Sequence, residues 1–196
     1  MDSQRFARLI ERIDQLNRDD PHTVLVGGTP VPWELFYAER LTDWVRRLAP
    51  NASEELRIAA RGQHIRRWTI PRSRYEMTRR GYLRWRETLK AFHTQTVGGL
   101  MRETGYPEPM IRRVQQIMGK RHLAEDPETQ TLEDALCLVF LDTQFAELRK
   151  KTPADTMQEI VRKTWQKMSE QGRATALQLP LSEEEKRVIA QALSEA

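Results

Sequence analysis

A short, strongly basic segment holds most of the side chains that could do chemistry. Positions 57 to 90 contain eleven Lys or Arg residues and two Glu residues, an excess of nine positive charges in a chain of net charge +4. Arginine presents a planar fork of donors that suits phosphate and carboxylate, and aromatic rings offer stacking faces. Aromatic residues and two histidines accompany the arginines: Trp68, Tyr75, Tyr82, Trp85, His64 and His93. The segment therefore predicts a site for an anionic ligand.

Three of these residues are predicted to share one face of a helix that runs from Gly81 to about Thr104. At about 100° per residue, Tyr82, Arg86 and His93 fall on a single stripe, with Trp85 at its edge. The stripe could line a binding site. It fits equally well an amphipathic helix in which the arginine stem covers apolar surface and the histidine is a hydrogen-bonded core residue.

His64 is predicted to lie on a preceding helix that begins at Ser53 and stops before Pro71. Arg66 and Arg67 follow it closely, and their positive charges disfavour protonation of the imidazole. A neutral ring keeps a lone pair available for a metal ion or for general-base chemistry. The commoner situation, a neutral histidine hydrogen-bonded inside a bundle, remains open.

Two adjacent acids lie on the most apolar predicted helix, which contains the run ALCLVFL. Glu133 and Asp134 are expected to be at least half-buried there, and a buried carboxylate needs an arginine, a histidine proton or a metal as partner. The alternative is that Thr131 is the N-cap and Asp134 closes a capping box. Asp126-Pro127 competes with this, because it would start the helix earlier.

The spacing of hydrophobic residues is helical in most of the remaining segments. The predicted fold class is therefore all-α: a compact single-domain bundle over residues 1–196. An N-terminal helix and loop occupy 1–32, with a short extended piece at 23–26. A core of about seven to eight helices is expected at 33–151, and the C-terminal helices at 152–196. The pair Gly98-Gly99 predicts close packing or a bend.

Composition narrows the class of protein. No apolar run approaches the length of a membrane span, and one cysteine, Cys137, cannot form an internal disulfide. The N-terminus has no secretory pattern, so a cytoplasmic protein with no membrane association is expected. The pI of about 9.4 invites nucleic acid as a partner. Nucleic acid is nevertheless unlikely as the partner, because no recognised nucleic-acid-binding motif is present.

Several motifs occur in an order that resembles the domain of unknown function 4202 family, over about residues 18 to 193. They are PxELFYAERL, QHIRRWTIPR, YLRWRETLKAFH, LEDALCLVFL, KTWQKMSE and ALQLPL. Some relatives carry the label glutamyl-tRNA synthetase, but neither signature of that enzyme is present. The resemblance implies no known activity.

A more distant similarity is to the HD superfamily of all-α, metal-dependent phosphohydrolases, through AARGQHIRRW, the stretch from Phe92 and EDAL. It implies an HD-like core in which His64, His93 and Asp134 hold a divalent metal ion. Tyr37 and Gln63 stand at two other ligand positions of that superfamily.

The first hypothesis is therefore an HD-like metal-dependent hydrolase acting on a small phosphorylated or other anionic metabolite. Glu133 would be the general base and Lys120 would stabilise developing charge. The substrate would be held by Arg66, Arg67, Trp68, Arg72, Tyr82, Trp85 and Arg86. The alternatives are a non-catalytic anion- or nucleotide-binding protein on a degenerate HD-like scaffold, and an RNA-associated protein.

Overall fold

The computed structural model describes residues 3–121, 123 and 125–194, and the described part is almost entirely helical. The all-α prediction is confirmed. The α-helices are α1 Ser3–Arg18, α2 Trp33–Leu48, α3 Glu54–Gly62, α4 Arg79–Glu103, α5 Glu108–Met118, α6 Pro127–Thr143, α7 Phe145–Lys151, α8 Ala154–Lys167, α9 Glu170–Ala176 and α10 Glu183–Ser194.

A small hairpin separates α1 from α2. Strand β1 (Thr23–Val26) pairs antiparallel with β2 (Thr29–Pro32), with Thr23 opposite Pro32. The sequence predicts the extended piece at 23–26, whereas it predicts a loop for the residues that form β2. The turn uses Gly27 and Gly28 at φ values of 57° and 85°, a region that glycine adopts without steric penalty.

Helix α6 runs through the centre of the molecule and contacts α2, α3, α5, α7, α8 and α9. Asp126 is its N-cap, and its side chain accepts from the backbone N–H of Glu128 at 3.1 Å, so the start at Asp126-Pro127 is confirmed. Thr131 lies in the second turn and is not the N-cap. Its hydroxyl donates instead to the carbonyl of Pro127 at 2.8 Å.

Close packing of α3 on α4 is set by Gly62. A Cβ atom there would lie 2.4 Å from Cγ2 of Val97, so the two helices approach as closely as a glycine permits. The prediction of close packing at Gly98-Gly99 holds for Gly98, where a Cβ would meet Nε2 of Gln115 at 2.5 Å. Gly99 faces open space.

Helix α3 ends at Gly62, earlier than the sequence predicted, so His64 lies on the turn that follows it. The chain reverses at Arg66, whose φ is 51°, and the side-chain oxygen of Asn17 accepts its backbone N–H at 3.1 Å. Two single 3₁₀ turns, Arg67–Thr69 and Arg72–Arg74, then lead to α4. A long-range contact from α1 therefore stabilises the turn that positions His64.

One hydrophobic cluster extends through the described part of the chain from α1 to α10. Leu9 on α1, Leu138 on α6 and Ile189 on α10 all belong to it. The C-terminal helices therefore share the core of the preceding segment. Within the described residues, none of the helices combines the length and the apolar character needed to cross a membrane.

Candidate functional site

Two adjoining cavities lie between the turn after α3 and α4, and the larger one is also lined by α2 and α6. The larger has a volume of about 380 Å³ and also reaches α8. The smaller has a volume of about 240 Å³ and reaches the end of α5. Their common wall consists of Gln63, His64, Arg67, Arg86 and Lys120. Three of these five side chains are cations, so the wall is strongly positive.

The larger cavity also has an aromatic and aliphatic part. Its apolar and aromatic lining comes from Trp33, Tyr37, Tyr82, Leu136, Phe140 and Ile160. Polar side chains of α6 and α8, among them Glu133 and Lys167, complete the lining, so the cavity as a whole is mostly polar.

His64 is held by aromatic neighbours. Tyr37 stacks on its ring with centroids 4.2 Å apart and planes 16° apart, and the ring of His93 lies 5.8 Å away. Burial lowers the pKa of His64 well below its ordinary value, and the positive charge of Arg67 lowers it further. The imidazole is therefore neutral at physiological pH, as the sequence predicted from its basic neighbours.

The buried carboxyl of Glu34 lies behind His64, with its Oε2 3.7 Å from Nδ1 of that ring. No described residue forms a hydrogen bond to this oxygen. Burial raises the pKa of Glu34 to about 8, although the charge of Arg67 works in the opposite direction. Glu34 is thus a carboxyl that holds its proton near neutral pH.

Arg67 projects from its 3₁₀ turn onto the indole face of Trp85, 4.7 Å from the ring centroid. The indole N–H of Trp85 donates to the carbonyl of Ile70 at 2.9 Å, which fixes the ring. Burial lowers the pKa of Arg67, and the nearby Arg86 adds to this effect. Trp85 therefore positions Arg67 from behind and does not itself line the cavity.

Arg86 lies one helical turn after Tyr82 on α4. Its guanidinium lies 6.0 Å from the ring centroid of Tyr82 and donates to the phenol oxygen at 3.4 Å. Within the described part of the chain, neither Arg67 nor Arg86 forms an ion pair with a carboxylate. By contrast, Arg61 makes a two-point ion pair with Asp14, at 2.6 and 2.7 Å.

Glu133 projects from α6 into the larger cavity between two lysines. Its carboxylate contacts Nζ of Lys120 and lies 3.9 Å from Nζ of Lys167. The sequence predicts an arginine, a histidine proton or a metal as the partner of this buried acid, whereas the structure supplies lysine. Lys120 stands at the end of α5 with φ of 53°, a left-handed conformation that is uncommon for a residue with a side chain.

His93 is buried in the wall of the smaller cavity. Its exposed fraction is 4%, and its Nε2 has no hydrogen-bond partner among the described residues. Burial lowers its pKa to about 3, and the charge of Arg67 contributes. The structure therefore brings together the two histidines predicted as metal ligands.

Asp134 lies elsewhere. Its Oδ1 accepts the backbone N–H of Ser169 at 2.8 Å and the side-chain amide of Gln130 at 2.9 Å, while Oδ2 accepts the hydroxyl of Ser169 at 2.5 Å. It lines neither cavity. No cluster of three or more His, Cys, Asp or Glu side chains suited to a metal ion is found among the described residues. The donor set His64, His93 and Asp134 therefore does not fit a shared metal ion in this arrangement.

Three predicted ligand-binding residues also lie outside both cavities. Arg66 is exposed, and Trp68 is half-buried. Arg72 donates to the backbone carbonyls of Tyr75, Glu76 and Thr78 at 3.0, 2.6 and 3.3 Å, so its guanidinium organises its own loop. The basic segment thus divides into arginines that shape the loop and arginines that face the cavities.

Sequence reasoning missed Trp33, Glu34 and Lys167. The hairpin brings Trp33 and Glu34 to the site, where Asp20 accepts the backbone N–H of Glu34 at 3.0 Å. A glutamate in the first turn of a helix gives no signal of burial. Tyr37 and Gln63 were marked through the HD resemblance, and both line the larger cavity.

The family model Domain of unknown function (DUF4202) matches residues 7–189, and the chain belongs to that family. Neither the curated proteins nor the solved structures yielded a significant match to this chain.

Proposed function

We propose that this protein binds a small anionic ligand, such as a phosphorylated metabolite, at the cationic wall shared by the two cavities. The observation that carries the proposal is the convergence of Arg67, Arg86 and Lys120 on that wall. Neither arginine has a carboxylate partner among the described residues, whereas Arg61 does. Arg67 is partly buried and Arg86 is exposed. A partly buried guanidinium such as that of Arg67 is destabilising without a counter-charge, and a bound anion would supply that charge.

The surroundings favour a ligand with an apolar part. The larger cavity places Trp33, Tyr82 and Phe140 beside the cations, and this is enough aromatic surface to cover a ring or an alkyl chain. Arg67 is already fixed by Trp85, so little conformational entropy would be lost when its fork meets a phosphate.

The direct test measures affinity for inorganic phosphate and phenyl phosphate by isothermal titration calorimetry. We expect Arg67→Ala and Arg86→Ala each to weaken binding at least about tenfold, since each removes charge-assisted hydrogen bonds. Arg67→Lys keeps the charge but loses the fork, and it should weaken binding by an intermediate factor.

The matched control is Arg84→Ala, which removes the same charge from an exposed position on α4. It should leave the affinity unchanged. If it weakens binding as much as Arg67→Ala does, the effect reflects overall charge and the proposed site is wrong. Circular dichroism of each variant separates loss of binding from loss of fold.

A hydrolase at this same site is the second candidate, and Glu34 is the observation that favours it. A carboxyl with a pKa of about 8, 3.7 Å from a neutral histidine, could give or take a proton near neutral pH. Phosphate release from phenyl phosphate, followed with and without a chelator, distinguishes the two functions. Turnover that a chelator abolishes would support the metal-dependent reaction that the HD resemblance implies.

A further inference from the structure

The smaller cavity contains hydrogen-bond acceptors that the protein leaves unsatisfied. Nε2 of His93 and Oε1 of Gln63 are both buried, and neither has a hydrogen-bond partner among the described residues. Both side chains line this cavity. Buried polar atoms in native proteins are nearly always paired, so two unpaired acceptors in one cavity indicate a missing donor.

Nε2 of His93 is an acceptor when the ring proton is on Nδ1. The backbone of Gln63 favours a proton on the ring, and Nε2 has no hydrogen-bond partner among the described residues, so we place the proton on Nδ1. Burial and the charge of Arg67 keep the ring neutral, so Nε2 offers a lone pair. Whatever binds here must donate a hydrogen bond.

The charge around this cavity shows which kind of donor fits. Arg67, Arg86, Lys90 and Lys120 all line it, and its one acidic side chain, Glu87, is already paired with Lys90 at 2.8 Å. Lys120 is likewise paired, with Glu133, so the positive charges left without a described carboxylate partner are those of Arg67 and Arg86. An ammonium group would be repelled by both guanidinium groups, whereas a hydroxyl group would not. The donor is therefore uncharged.

We infer that the anionic ligand carries hydroxyl groups beside its anionic group, which donate to His93 and Gln63 while the anion binds the shared wall. The ligand class is a hydroxylated organic phosphate, such as a polyol phosphate. This inference rests on the proposed function, because the same Arg67, Arg86 and Lys120 hold the anion. It adds the second cavity as the determinant of specificity.

The experiment compares four probes by calorimetry: inorganic phosphate, propyl phosphate, glycerol 3-phosphate and phosphoethanolamine. Glycerol 3-phosphate should bind at least about tenfold more tightly than propyl phosphate, because its hydroxyls satisfy two buried acceptors. Phosphoethanolamine should bind no better than propyl phosphate. Tighter binding of phosphoethanolamine than of glycerol 3-phosphate would overturn the assignment of a hydroxyl donor.

Two variants test whether Gln63 and His93 cause the preference for glycerol 3-phosphate over propyl phosphate. Gln63→Met and His93→Phe each replace an acceptor with an apolar group of similar size. Each should reduce the ratio of the affinity for glycerol 3-phosphate to the affinity for propyl phosphate several-fold. Gln63 is only half-buried, so its variant remains informative if the His93 variant does not fold.

The outcomes separate the inference from the proposed function. If the parent protein binds propyl phosphate and glycerol 3-phosphate equally, the acceptors are satisfied by water and the inference is wrong, while the anion site stands. If none of the four probes binds, the proposed function itself fails.

Discussion

Glu34 shows how a single buried side chain can link proton binding to stability. Its carboxyl is 3% exposed, and among the described residues Arg67 is the cation that opposes the effect of burial on its pKa. Burial raises its pKa from 4.5 to about 8, so the folded protein holds a proton that the unfolded chain releases near pH 4.5. Stability from this group is therefore fully present below pH 4.5 and is lost as pH rises to 8.

We expect Glu34→Gln to remove this pH dependence. The amide resembles the protonated carboxyl, so parent and variant should be similarly stable near pH 4.5. At pH 8 the variant should be more stable by about 4 kcal/mol, because the carboxyl loses its proton at a pKa near 4.5 in the unfolded chain and near 8 in the folded protein. Urea unfolding at several pH values measures the difference.

Glu39→Gln is the matched control, since it changes a glutamate on the same helix whose side chain is 50% exposed. It leaves Glu34 in place and should retain the pH dependence of the parent. A constant difference between Glu34→Gln and the parent from pH 4.5 to 8 would contradict a protonated carboxyl in the fold.

Local signals in the sequence were sufficient to predict several helices and to name His64, Arg67 and Arg86 as candidates, but not to predict how the site is assembled. Asp126-Pro127 fixed the start of α6 because an N-cap and a first-turn proline act within a few residues. The turn carrying His64 depends instead on Asn17, which accepts the backbone N–H of Arg66 from 49 positions away in sequence. The role of Arg72 depends on the conformation of its own loop. Neither contact can be predicted from the spacing of residues along the sequence.

The start of α9 depends on Asp134 of α6. Ser169 is the N-cap of α9, its hydroxyl accepts from Gly172 at 3.1 Å, and Asp134 in turn accepts from Ser169. Gly172 allows this contact, because a Cβ there would lie 2.7 Å from Oδ1 of Asp134. The acid predicted as a metal ligand thus joins two helices.

We expect Asp134→Ala and Ser169→Ala each to lower the free energy of unfolding by about 1–3 kcal/mol, because each leaves a buried polar group unpaired. The double variant should lose less than the sum, since both remove the same contacts. Inorganic phosphate should bind all three variants as it binds the parent.

The opposite pattern would support the HD-like metal site. If Asp134→Ala keeps the stability of the parent but loses bound divalent metal, measured by elemental analysis of untagged protein, then the carboxylate is a ligand. Ser169→Ala would then leave the metal content unchanged.

Among the described residues, one hydrophobic core takes in helices from α1 to α10. Met157 and Val161 of α8 are 1% exposed within the same cluster as Leu41 of α2. Lys167 and Ile160 of α8 also line the larger cavity. The boundary at residue 151 drawn from sequence therefore crosses both the hydrophobic core and the candidate site.

Because the core is continuous, we expect α2 and α8 to unfold together. Hydrogen exchange followed by mass spectrometry, at increasing urea concentration, should show peptides from both helices losing protection at the same midpoint. A saturating phosphate ester should raise both midpoints equally, since the ligand would contact residues of both segments. Earlier loss of protection in α8 to α10 would show that residues 152–196 form a separate unit and that the cavity opens without global unfolding.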